Sequence, residues 1–133
     1  MIGVGSFFSV SDNSGAIIVQ CIRSQRLKFD ISSGSKVGDF LTVVVKKSYV
    51  PETVKKRKFA KKSDIFLAVI VNSMNGLSRF SSSSKLNFFN NFVVLVKKDD
   101  IFNPFATRIS TSVPSELKTY GFSKLIILSN DIF

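Results

Sequence analysis

A mainly β fold is predicted: a small closed five-stranded antiparallel barrel bearing a basic β-ribbon and short C-terminal helices. Three observations predict it. Short apolar runs rich in Val, Ile and Phe recur through residues 7–96, each the length of a strand and too short for a well-supported core helix. Polar segments with turn chemistry separate them. The texture then changes: Ser115-Glu116-Leu117-Lys118, just after Pro114, has the form of a helix start, and Gly121 that of a helix stop. Closing five such strands into a barrel removes the edges that would otherwise invite aggregation. One domain is expected over residues 1–133, with the barrel in 1–100, a basic tongue at 46–64 and a helical cap in 101–133. A chain of this length buries on the order of two thirds of its unfolded surface, so a real core is available to it.

Residues 7–10 (FFSV) make the first strand. SDNSGA at 11–16 is a turn, because Ser, Asp and Asn bond their own backbone and Gly15 permits positive φ. Residues 17–22 form a second strand, apolar on both faces apart from Gln20 and ended by Arg23, with Cys21 packed as a small buried hydrophobe. A polar loop over 24–36 reaches Gly38-Asp39, which turns the chain into LTVVV at 41–45. IFLAVIV at 65–71 is its hairpin partner.

Between the two lies KKSYVPETVKKRKFAKKSD, in which six of the eight residues from Lys55 to Lys62 are Lys or Arg. Like charges at this density repel, so the tongue is expected to order against a polyanion. The plainer reading is a solvated loop. A polar loop over 72–87, with low-complexity SSSSK at 81–85, leads to a strand at 88–96 that KKDD (97–100) ends. LIIL at 125–128 reads as a last strand-like segment. Phe40, Phe66, Phe88 and Phe92 sit inside apolar runs and are expected in the core. Phe59 stands alone among lysines, placed either to anchor the tongue or to stack on an unpaired base.

Nineteen Lys and Arg against nine Asp and Glu leave a net charge of +10, beyond what solubility asks of so small a protein. A polyanionic partner follows. Nucleic acid is favoured over a membrane, since no apolar run approaches a span and no amphipathic helix with a basic face is evident. No histidine and a single cysteine leave no metal site of ordinary spacing and no internal disulfide. The same lack removes the usual base of a Ser or Cys triad, and Asp12, Asp30, Asp39 and Glu52 fall in turns and loops without pairing, so no catalytic site and no cofactor are expected. Gly3 to Ser6 holds two glycines but precedes a strand, unlike a phosphate loop. The first basic residue is Arg23, giving the start of the chain neither signal-peptide nor transit-peptide character. Fourteen Phe without a Trp suggest coding drift in an AT-rich genome.

VSDNSGA (10–16), CIR (21–23), VGD (37–39), AKKSD (60–64), AVIV (68–71), NNFVVLV (90–96), ATRI (106–109) and GFSKLIIL (121–128) together resemble large-subunit ribosomal protein fourteen, the universal bacterial-type family. The fragments occur in the family's order and reach both ends of the chain. DNSGA with TRI and the later FxK is the specific combination. The resemblance implies a structural protein of the large subunit, a barrel with a basic ribbon, bound to large-subunit rRNA, touching neighbouring large-subunit proteins and facing the small subunit and its rRNA. The alternative class is a free-standing single-strand nucleic-acid-binding module on a similar barrel.

Candidate RNA contacts are Asn13 and Ser14 in the turn, Arg23, the tongue residues Lys46, Lys47, Lys55, Lys56, Arg57, Lys58, Lys61 and Lys62, and Arg79 beyond the hairpin. For Asn13 and Ser14 a purely structural turn is the competing reading. The resemblance further implies that Thr107, Arg108 and Lys124, at the TRI and FxK positions, form the face that meets the small subunit and that a ribosome-silencing factor covers. Arg108 offers a planar fork for carboxylate or phosphate; a cap on the nearby helix or a pair with Glu116 is its plainer use. Departures stand beside the matches. Ile17 and Ile18 replace a basic pair, residues 72–75 (NSMN) replace a basic stretch, and the tongue is longer and more basic. This divergence points to a mitochondrial, organelle-encoded member, with bacterial cytoplasm or plastid as the alternative.

Overall fold

A computed structural model describes residues 4–25, 37–49, 59–73, 77–78, 85–86 and 90–132. Strands β1 (Phe7–Val10), β2 (Ala16–Gln25), β3 (Phe40–Ser48), β4 (Ile65–Asn72) and β7 (Phe92–Val96) close a barrel in that order, while β5 (Leu77–Ser78) and β6 (Lys85–Leu86) pair separately. Helices α1 (Glu116–Thr119) and α2 (Ser123–Leu128) follow. Neighbouring barrel strands run antiparallel except at the closure, where β1 and β7 are parallel. Parity requires this. Directions cannot alternate all the way round a ring with an odd number of strands, so one pair must match.

Alternation of side chains dictates the wall. Along β3, Leu41, Val43 and Val45 are buried while Phe40, Thr42 and Val44 between them are half-buried. In β4 and β7 the alternation is lost: Ala68 to Val71 and Val93 to Val96 are fully buried, so both faces of the wall are covered. The covering layer is the C-terminal segment, whose Ile109, Val113, Leu117, Phe122 and Leu125 belong to the same apolar cluster. Each such side chain contributes about 1.5–3 kcal/mol by leaving water.

Several sequence expectations need adjustment. LIIL is not a strand but most of α2: only Leu125 of its four residues is fully buried and Ile127 is 78% exposed, a one-sided pattern that suits a short helix laid on the barrel. The turn before it explains how this arises. Gly121 adopts φ 93°, the Gly121 amide donates to the Lys118 carbonyl (3.2 Å) and the Phe122 amide to that of Leu117 (2.9 Å), the paired bonds of a Schellman stop. The second strand runs on to Gln25, and the last barrel strand starts at Phe92. The β5–β6 ladder lies within what reads as loop. Phe40, Phe66 and Phe92 pack partly buried against the core, as expected, and Phe59 is half-buried. Phe88, the tongue interior at 50–58 and Arg79 lie outside the described residues.

Candidate nucleic-acid interface

The turn between β1 and β2 is bonded on three sides, one residue at a time. Ser11 donates its amide to the Val93 carbonyl (3.1 Å) and accepts the Ser110 amide (2.7 Å) and hydroxyl (2.8 Å) at its own carbonyl. Asp12 turns its carboxylate inward. One oxygen accepts the Ser14 amide (3.1 Å) and hydroxyl (2.5 Å), and the other accepts the Leu95 amide of β7 (3.0 Å). Burial pushes this carboxyl above its ordinary value, and the three donors oppose the shift without cancelling it.

Asn13 faces the C-terminal segment. Its amide oxygen accepts the backbone N–H groups of Thr107 (3.1 Å) and Arg108 (3.2 Å), and its amide nitrogen donates to the Thr107 hydroxyl (3.0 Å). Ser14 and Gly15 take the tongue. The Ala60 amide donates to the Ser14 carbonyl (2.7 Å) and the Tyr49 amide to that of Gly15 (3.1 Å), while the Ser48 hydroxyl lies within hydrogen-bond distance of both the Gly15 and Ala60 carbonyls (3.0 and 2.8 Å). Gly15 sits at φ 104°, which a side chain would strain. One five-residue turn thus ties β7, the TRI segment and both roots of the tongue.

Among the described residues, the tongue-root lysines flank this turn, whereas Arg23 lies towards the far end of β2. Lys46 and Lys47 leave β3 exposed on the outgoing root; on the returning root Lys62 is exposed and Lys61 half-buried. The return is fixed by Lys61 and Asp64, whose carboxylate accepts the Lys61 amide (3.0 Å). Arg23 is exposed on β2, opposite Thr42 of β3. Lys55, Lys56, Arg57, Lys58 and Arg79 lie outside the described residues. Ser14 is only 1% exposed, with its hydroxyl turned to Asp12. Its side chain positions the loop and presents nothing to solvent.

Thr107, Arg108 and Lys124 are all exposed. The first two are held by Asn13. Lys124 donates to the Asn103 side-chain oxygen, and Asn103 donates to Asp100 (2.6 Å). Among the described residues no hydrogen bond or ion pair engages the Arg108 guanidinium. Sequence reasoning missed the inward Asp12 and the use of Asn13 as a clamp. The signal was the Asx-turn chemistry of D-N-S-G, which marks a turn but does not name its distant partners.

Comparison with known proteins gives a consistent picture. A family model described as ribosomal protein L14p/L23e matches residues 1–133. Large ribosomal subunit protein uL14m of Acanthamoeba castellanii is 37% identical over 134 residues, 97% of each chain. The protein of the same name from Dictyostelium discoideum is 39% identical over 132 residues, 99% of each. Large ribosomal subunit protein uL14c of Helicosporidium sp. is 35% identical over 129 residues, 97% of each.

Proposed function

This chain belongs to the ribosomal protein L14p/L23e family, and from that premise we propose that it binds large-subunit rRNA through the clamped turn and the tongue roots. Membership makes it a structural, non-enzymatic protein of the large ribosomal subunit. The observation that carries the RNA reading is the bonding of both ends of the lysine-rich segment to one rigid turn. Lys46, Lys47, Lys61 and Lys62 are then held at fixed stations, so less ordering entropy opposes their contact with phosphates. Lys55, Lys56, Arg57, Lys58, Arg23 and Arg79 extend the contact; Asn13 and Ser14 act in it by shaping the turn.

The second surface is Thr107, Arg108 and Lys124, which meets the small subunit and its rRNA and which a ribosome-silencing factor covers in alternation. Support comes from the exposed Arg108 guanidinium, whose fork fits either a carboxylate or a phosphate. Residence in the mitochondrion, with the gene in the organelle, is part of the proposal. The relatives named uL14m support the mitochondrial part of it.

Sedimentation of lysed organelles from the source tests the whole reading. The native protein should run with large subunits and stay with them in moderate salt. Recovery chiefly in slow fractions, with generic single-strand binding that collapses as salt rises, would replace it with the free-standing binding module.

A further inference from the structure

A cleft of about 500 Å³ opens beside the returning root of the tongue, between the start of β4 and the end of β7, within the roughly 300–1,000 Å³ of small-ligand sites. Phe66 and Phe105 line it as an edge-to-face pair, centroids 5.0 Å apart, and Ile65, 50% exposed, lies at its mouth. Lys97, Lys98 and Asp99, all exposed, line it as well. It is continuous with the tongue root, because Asp64 both lines the cleft and closes the Lys61 turn.

We propose that this cleft receives one unpaired nucleotide of the bound RNA, a step that rests on the RNA-binding reading above. Three parts of a nucleotide match three parts of the site. The flat apolar base lies against the phenyl pair, the phosphate meets the Lys97 and Lys98 ammonium groups, and the amino edge of a guanine, adenine or cytosine donates to Asp99 or Asp64. An apolar protein side chain would use the floor and leave Lys97, Lys98 and Asp99 without partners. Uracil, whose pairing edge carries a single N–H, is the poorest fit.

The test compares an uninterrupted RNA duplex with the same duplex carrying one bulged guanosine or one bulged uridine, titrated against the full chain at fixed salt. The bulged guanosine should bind about tenfold tighter than the uninterrupted duplex, with uridine between, in keeping with base stacking on aromatic side chains. Phe105→Leu should abolish that preference. Ile65→Glu, a change at an exposed position that puts a carboxylate at the mouth, should do the same and serves if Phe105→Leu does not fold. Equal affinity for bulged and uninterrupted RNA, or a preference that survives both variants, overturns the cleft assignment. Failure to bind any of the three RNAs instead sinks the RNA-binding reading on which it rests.

Discussion

Asp12→Asn offers a sharp test of the clamped turn. The carboxylate accepts three donors, two from Ser14 and one from the Leu95 amide. A carboxamide has one oxygen, so whichever way it is turned its NH2 group faces a backbone N–H: that of Leu95 or that of Ser14. A backbone donor in a partly buried site loses its acceptor, which costs about 1–3 kcal/mol. An opposing effect depends on pH. Because burial raises the Asp12 carboxyl above its ordinary 3.8, the native state binds more protons than the unfolded state between the two values, and the wild type loses stability as pH rises through that window. The variant carries no such titration. Its deficit should therefore be largest below about pH 4 and shrink towards neutrality, though it should not vanish there. Urea unfolding of both proteins from pH 3 to 8 measures this. A variant as stable as wild type throughout, or a deficit that grows as pH rises, would refute the reasoning.

Replacing Lys46, Lys47, Lys61 and Lys62 with Ser should weaken rRNA binding and flatten its salt dependence by roughly 0.7–0.9 for each phosphate no longer neutralised; an unchanged slope in a salt titration would mark these groups as merely solvated. The same measurement applies to Lys55, Lys56, Arg57 and Lys58. Gly38→Ala should cost about 1–3 kcal/mol in a thermal melt, since Gly38 lies at φ 91° and a Cβ there would come within 2.7 Å of the Tyr120 ring; adding Tyr120→Ala should relieve the clash but not the backbone strain. Asn13→Ala should speed amide exchange at Thr107 and Arg108 while leaving barrel amides protected. Arg108→Glu with Lys124→Glu should leave the protein folded and incorporated, yet impair silencing-factor pull-down and subunit joining; normal behaviour in both assays would remove this face from the functional map.

Much of the barrel was legible because strands announce themselves locally. LTVVV and IFLAVIV carry the composition of buried strands, and the DNSG turn carries backbone chemistry that few other structures use. LIIL was misread for a related reason. A run of four apolar residues has no periodicity of its own, and only the Gly121 stop and the barrel wall beneath decide that it coils. The clamp was illegible because its partners are remote: Asp12 meets Leu95 at a separation of 83 residues and Asn13 meets Thr107 at 94. Composition foretold a basic surface but not that both roots of the tongue would be bonded to a single turn.

The parallel β1–β7 closure has a consequence for synthesis. Ser9 pairs with Phe92 and Val10 with Val93, so the first strand made can find its second neighbour only after most of the chain has left the ribosome that builds it. Pairings this distant in sequence form slowly, because a long loop must close before any contact rewards it. Until then β1 and β7 are open edges able to recruit strands from other chains. The turn that carries the tongue roots belongs to the same late event, since Ser11 and Asp12 both bond to β7. A nascent chain therefore displays its lysines before it can hold them still. RNA present at that moment would meet a flexible polycation first and a shaped surface later, which makes barrel closure a step at which loose capture turns into fixed docking.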